Sequence, residues 1–170
     1  SKILNFLVKD FKKIYKKKIN PLHEPSFSKK DFESINKCLK STFVSTYGSN
    51  TLKFEKEICN YTGSKYAVCT SSGTAALHAS LILSKIEKNS EVLLPSFNFV
   101  ASANVIRYCD AIPHFIDIDE EYISVNPKFL KNYLDSQIRK KNFIYNKKTG
   151  RKISALILPH LFGFGANSKK

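Results

Sequence analysis

The octet Thr70-Ser71-Ser72-Gly73-Thr74-Ala75-Ala76-Leu77 has the residue types of an anion cradle. Gly73 lets the backbone approach a ligand closely. A helix opening there offers unpaired N–H groups and the positive end of its dipole, and Ser72 and Thr74 add hydroxyls. Together they suit a phosphate. The same residues also make an ordinary turn and N-cap, so the octet alone leaves both readings open. It is neither a Walker loop nor G-x-G-x-x-G, which sets nucleotide-fingerprint logic aside.

Three further turns carry residues of interest. Leu94-Pro95-Ser96-Phe97-Asn98-Phe99 places two aromatics together, either as core packing or with one as a platform for a flat ring. Asp117 and Asp119 leave a strand pattern; paired acids suit a metal or general acid–base work, but more often cap a loop. His160 stands at the end of an apolar run, where it could face a ligand, although a lone His is a weak signal.

The elements that must position these turns follow from periodicity. Leu4, Leu7, Phe11 and Ile14 recur at helical spacing, with lysines mostly elsewhere, and predict a basic amphipathic helix within residues 1–20. Such a helix can lie on an anionic membrane; the reading preferred is packing on its own protein or a partner subunit. A second helix is expected from Ser28, with Asp31 completing part of a capping box, and a third carrying Leu52, Phe54 and Ile58 and ending at Gly63. Beyond Gly63 the rhythm alternates. Strands are predicted at 65–70, 91–94, 111–117 and 153–159, with helices at 74–85, 98–108 and 127–138 and a basic loop over 139–152. Strand–helix repetition means βαβ units and a mostly parallel sheet with helices on both faces. Ligands of such sheets bind beyond the carboxyl ends of the strands, where all four turns fall.

Composition narrows the function classes. The 170 residues are 42% hydrophobic and 25% charged, which fits a globular chain rather than a disordered or fibrous one. No apolar run approaches the roughly 20 residues of a membrane span. The net charge of +14 invites a nucleic-acid reading, but residues 1–40 carry +7, residues 41–127 carry −3 and residues 128–152 carry +8. The excess therefore sits in two blocks. Of the 28 bases only three are Arg, the residue whose planar fork reads phosphates and bases, so no nucleic-acid partner is expected. Cys38, Cys59, Cys69 and Cys109 form no C-x-x-C pair and are expected to be reduced thiols of a cytoplasmic protein.

Taken together, Ser-Ser-Gly-Thr-Ala-Ala-Leu-His (71–78), Pro-Ser-Phe-Asn-Phe-Val-Ala (95–101) and Pro-His-Leu-Phe-Gly (159–163) resemble, in order and spacing, the DegT/DnrJ/StrS family of sugar aminotransferases. Pro21-Leu22-His23-Glu24-Pro25, Phe43-Val44-Ser45-Thr46-Tyr47-Gly48 and Lys148-Thr149-Gly150-Arg151 look most like its LegC branch, which aminates a 4-keto sugar nucleotide for surface polysaccharides. The resemblance implies a large domain of the aspartate-aminotransferase type (PLP fold type I) over residues 21–170. It also implies pyridoxal 5'-phosphate as cofactor, a homodimer, a sugar-nucleotide substrate and glutamate as amino donor. By the same resemblance Ser72, Gly73 and Thr74 would bind the cofactor phosphate, Phe99 would stack on its ring, and Tyr47 and Gly48 would lie near the sugar nucleotide.

One departure matters. The family's cofactor-bonding Lys and its partner for the ring nitrogen come well after the His-Leu-Phe-Gly motif, and this sequence ends before both. The expectation is therefore an N-terminal part of such an enzyme, with no catalytic residue of its own and little or no turnover in isolation. A dehydratase-like relative, with His in place of that Lys, and a non-catalytic binding or assembly module are the alternatives.

Overall fold

The computed structural model describes residues 2–15, 24–119 and 123–165. The chain divides into two compact units between Ala67 and Val68.

The first unit holds three helices: α1 (Lys2–Ile14), α2 (Lys29–Lys40) and α3 (Ser49–Thr62). The predicted caps are present. Ser28 accepts from Asp31 N, and Asp31 Oδ2 accepts in return from Ser28 N at 2.6 Å, so the capping box is complete. Those bonds hold the Asp31 carboxyl below its usual range. Gly63 ends α3 in a left-handed conformation (φ 72°) that favours glycine. Residues 16–19 of the first expected helix lie outside the described residues, as do Pro21, Leu22 and His23.

The second unit runs α4 (Gly73–Leu83), β1 (Glu91–Pro95), α5 (Ala101–Tyr108), β2 (Ile112–Ile116), α6 (Pro127–Asp135), β3 (Ile138–Lys140), β4 (Phe143–Tyr145), β5 (Lys152–Leu156) and a 3-10 turn at Leu161–Gly163. Its five-stranded sheet has the order β2-β1-β5-β4-β3. β1 pairs in parallel with β2 and β5, and Leu93 lies opposite His114. Strand alternation sends Val92 and Leu94 to one face, where Leu81 of α4 and Val105 and Ile106 of α5 close the core with Ala111. Leu93 and His114 face the other way. Tyr133 of α6 reaches His114 Nε2 at 2.9 Å, which places α6 on that second face. The α/β expectation with helices on both faces is met.

Two elements differ from the sequence reading. The strand expected at 65–70 joins no described strand: Ala67 and Cys69 are half-buried while Tyr66 and Val68 are exposed, so the burial alternates without a ladder. The basic loop expected at 139–152 instead contains the antiparallel hairpin β3–β4, with β4 then pairing antiparallel to β5. High charge density hid the hairpin. Arg139 and Lys140 line an outer strand of the sheet, a position where charge is favoured because it discourages edge-to-edge pairing.

Leu94 is fully buried at the centre of the α4–α5–β1 core. Leu94→Ala is expected to destabilise the second unit by about 3 kcal/mol through lost transfer energy and a residual cavity, read as a shift in the urea midpoint.

Candidate functional site

α4 runs back against β1, and α5 follows β1, so both helices present their N-termini at the carboxyl edge of the sheet. They pack on each other, α5 packs on β1, and Leu81 of α4 joins Val92 and Leu94 of β1 in the core. His78 of α4 meets Tyr108 of α5 edge-on at 5.6 Å, so this His packs the two helices together.

Ser72 is the N-cap of α4, and its Oγ accepts from Ala75 N at 3.2 Å. The hydroxyl proton stays available to donate outward. Thr70 Oγ1 donates to the Ser72 carbonyl at 2.9 Å and braces the turn from behind. The N–H groups of Gly73 and Thr74 fall in the first turn, where no intrahelical acceptor exists. A Cβ built on Gly73 would meet nothing within 4 Å, so the space over this helix end is open. Donors, dipole and open space all fit the phosphate of an anionic cofactor.

Phe99 immediately precedes Val100, the N-cap residue of α5, and is 74% exposed, with a free face. The turn that carries it is fixed from several directions. Ser96 N donates to Ile116 O at 2.8 Å and Ser102 N to Phe99 O at 3.0 Å. The Asn98 side-chain amide donates to Pro95 O, while its Oδ1 is buried with no partner among the described residues. Sequence reasoning passed over Asn98; an Asn between two aromatics after a Pro was the available signal for such a turn.

The loop after β5 comes to the same edge. Phe162 packs against Phe97 with ring centroids 6.3 Å apart. Phe162 holds φ 51°, a conformation that a bulky side chain rarely adopts. His160 is exposed at the start of this turn. The four turns singled out in the sequence do not all serve one purpose, however. Asp117 Oδ1 accepts from Ile118 N at 2.9 Å, and Asp119 Oδ2 accepts from Asn126 at 2.6 Å, so both acids tie down the loop before α6.

Tyr47 and Gly48 belong to the first unit. Tyr47 is 76% exposed. Gly48 is buried as the N-cap residue of α3, and a Cβ there would sit 3.1 Å from Ser45 O. The close approach gives this glycine a packing reason. Gly48 also lines a cavity of about 320 Å³ with Ser34, Lys37, Ser45 and Asn50.

The chain is 39% identical over 101 residues to GDP-perosamine synthase of Escherichia coli O157:H7, a match that covers 59% of this chain and 28% of that protein. A DegT DnrJ EryC1 StrS aminotransferase from Brucella abortus superposes with a TM-score of 0.70 at 27% identity, covering 81% of this chain and 35% of that one. The PLP form of a sugar aminotransferase, Spr1654 from Streptococcus pneumoniae, superposes with a TM-score of 0.61 at 26% identity, covering 66% and 29%. The chain thus spans about a third of the length of the relatives it matches. The pyridoxal-phosphate-dependent DegT/DnrJ/EryC1/StrS aminotransferase family matches residues 25–166, from just before α2 through all four turns, and the chain belongs to that family.

Proposed function

We propose that this chain forms the cofactor-phosphate side of a sugar-nucleotide aminotransferase of the LegC-like branch. The complete protein would transfer an amino group, from glutamate, to a 4-keto sugar nucleotide. The observation that carries the reading is the uncovered N-terminus of α4 at the sheet edge that also bears Phe99. Ser72, Gly73 and Thr74 would hold the phosphate through backbone N–H groups and hydroxyls. Phe99 would cover one face of the pyridine ring, and Tyr47 and Gly48 would lie near the sugar nucleotide. When bound, pyridoxal phosphate supplies an electron sink for making and breaking carbon–nitrogen bonds. The chain's own residues anchor and orient it, since each charge-assisted hydrogen bond to a phosphate oxygen also fixes direction.

The name of the Escherichia coli relative points to a GDP-linked sugar. The motif Lys148-Thr149-Gly150-Arg151 supports the LegC-like reading instead. A homodimer and a cytoplasmic location belong to the same proposal. Among the described residues no helix is long and apolar enough to cross a membrane.

The experiment is an amino-transfer assay on the complete protein with pyridoxal phosphate, glutamate and a panel of nucleotide-linked 4-keto sugars. Formation of 2-oxoglutarate together with an amino sugar, detected by mass spectrometry, is the expected result. Deoxygenation of the sugar without amine retention would favour the dehydratase alternative, and no conversion would favour the binding module. Phe99→Ala is expected to leave the melting temperature within 1–2 °C of the parent, because an exposed ring packs against little. It should weaken cofactor binding roughly fivefold, in line with about 1 kcal/mol for one aromatic stack, as read by absorbance titration.

A further inference from the structure

At the amino edge of the sheet, away from the cofactor cradle, a carboxylate is buried among partners from β2 and from the turn between β4 and β5. Glu91 opens β1 and its side chain is 3% exposed. Its Oε2 lies 2.6 Å from His114 Nδ1 on β2 and accepts from Asn146 Nδ2 at 2.8 Å. Its Oε1 accepts from Thr149 Oγ1 at 2.6 Å and lies 3.9 Å from Arg151 Nη1. His114 in turn meets the Tyr133 hydroxyl of α6. Lys152, next along the chain, pairs with Glu87 rather than with Glu91. No single element could satisfy this acid; it is completed only when β1, β2, α6 and the turn before β5 are all in place.

That turn is itself tightly specified. Asn146 N donates to Arg151 O and Gly150 N to Asn146 O, both at 2.8 Å, and Lys148 N donates to Asn146 Oδ1 at 2.9 Å. Gly150 holds φ 70°, which favours glycine. The result aims Asn146 and Thr149 at Glu91. Just beyond it, the pairing of β1 with β5 shifts: Glu91 lies opposite Ile153, but Val92 lies opposite Ala155, so Ser154 is an extra residue in the ladder. The Ser154 Oγ is buried with no partner among the described residues. A one-residue slip in a strand turns every following side chain to the other face. β5 leads directly to Pro159, His160 and Phe162 at the cofactor edge.

We propose that Glu91 is a positioning residue that fixes the register of β5 through Thr149 and Asn146, and thereby the orientation of the His160–Phe162 turn at the opposite edge. The assignment of that turn to the cofactor site rests on the functional reading above; the register claim does not, and it is tested without cofactor. Burial pushes the Glu91 carboxyl up, but the bonds from Thr149, Asn146 and His114 together outweigh it and leave it below the ordinary carboxylate range. Thr149→Val removes one of those bonds at nearly constant volume.

The test is NMR on the intact chain and its Thr149→Val variant, with Glu91→Gln as a second variant. In Thr149→Val the amides of Asn146, Gly150 and Ile157 are expected to exchange at least tenfold faster, the His160 ring resonances to move, and the Glu91 carboxyl to titrate at higher pH. The amides of Ser96 and Ile112, bonded to Ile116 and Ser90, should be unchanged. Glu91→Gln should show the same local loss at neutral pH. The proposal is overturned if exchange accelerates equally at all these amides, or if the His160 resonances stay in place in a folded variant, or if the Glu91 titration does not move. These readouts stand whether or not pyridoxal phosphate binds, so failure of the register claim and failure of the cofactor reading are distinct results.

Discussion

Gly73→Asp is expected to abolish cofactor binding while leaving the fold intact or slightly firmer. A carboxylate in the first turn of α4 interacts favourably with the helix dipole, an effect of about 0.3–1 kcal/mol. The open space above Gly73 accepts the new side chain without a clash. The same carboxylate would occupy the place proposed for the phosphate and repel it. Loss of two charge-assisted hydrogen bonds amounts to about 3 kcal/mol or more, hence at least a hundredfold weaker binding. The two effects have opposite signs, which makes the variant informative. Absorbance titration with pyridoxal phosphate on the complete protein and thermal melting of the same sample check both. A variant that loses the cofactor because it unfolds would show itself in the melt.

Glu91→Ala is expected to have the largest effect on stability. Truncation leaves His114, Asn146 and Thr149 facing a cavity where their acceptor stood. Breaking a buried, multiply bonded charge costs about 3–5 kcal/mol. The loss should be confined to the second unit, because every partner of Glu91 lies there, and the first-unit signals in a urea titration should keep their own midpoint. The sign of the pH dependence follows from the same bonds. The carboxyl titrates lower in the folded state than in the unfolded chain. Its stabilisation is therefore complete above the ordinary glutamate value of about 4.3 and is lost as pH falls through the folded value. Glu91→Ala should flatten the acid limb of the stability curve over that window.

Much of this architecture was legible in the residues, for reasons that can be named. The caps of α2 and α3 were local: Ser28 with Asp31, and Gly63, act through bonds or backbone angles within a few residues. β1, β2 and β5 showed as short apolar runs because both faces of the sheet are covered. The Ser72-Gly73-Thr74 helix end was equally readable, since an N-cap and a phosphate cradle need the same residue types. Features set by distant partners were not readable. The segment at 65–70 has a strand's alternation, but a ladder needs a neighbour that local sequence does not supply. The β3–β4 hairpin was masked by Arg139, Lys140 and Lys141. Glu91 was placed in its strand, but its burial gave no signal: an acid at the first position of an apolar strand looks solvent-facing until Asn146 and Thr149, more than fifty residues later, fold back onto it. Asn98 is a different case: its bond to Pro95 is local, and the two aromatics that flank it drew the reading away from it.

The central claim is that the N-terminus of α4 grips an anionic tail while the aromatic before α5 covers a flat ring. The direct measurement is the backbone and aromatic NMR spectrum of this chain, titrated in parallel with pyridoxal phosphate and with pyridoxal, which lacks the phosphate. The amides of Gly73 and Thr74 should shift with pyridoxal phosphate and not with pyridoxal, and the Phe99 ring should shift in the same saturable step. Equal responses to the two compounds, or a response to pyridoxal phosphate confined to residues away from Gly73, Thr74 and Phe99, would contradict the account.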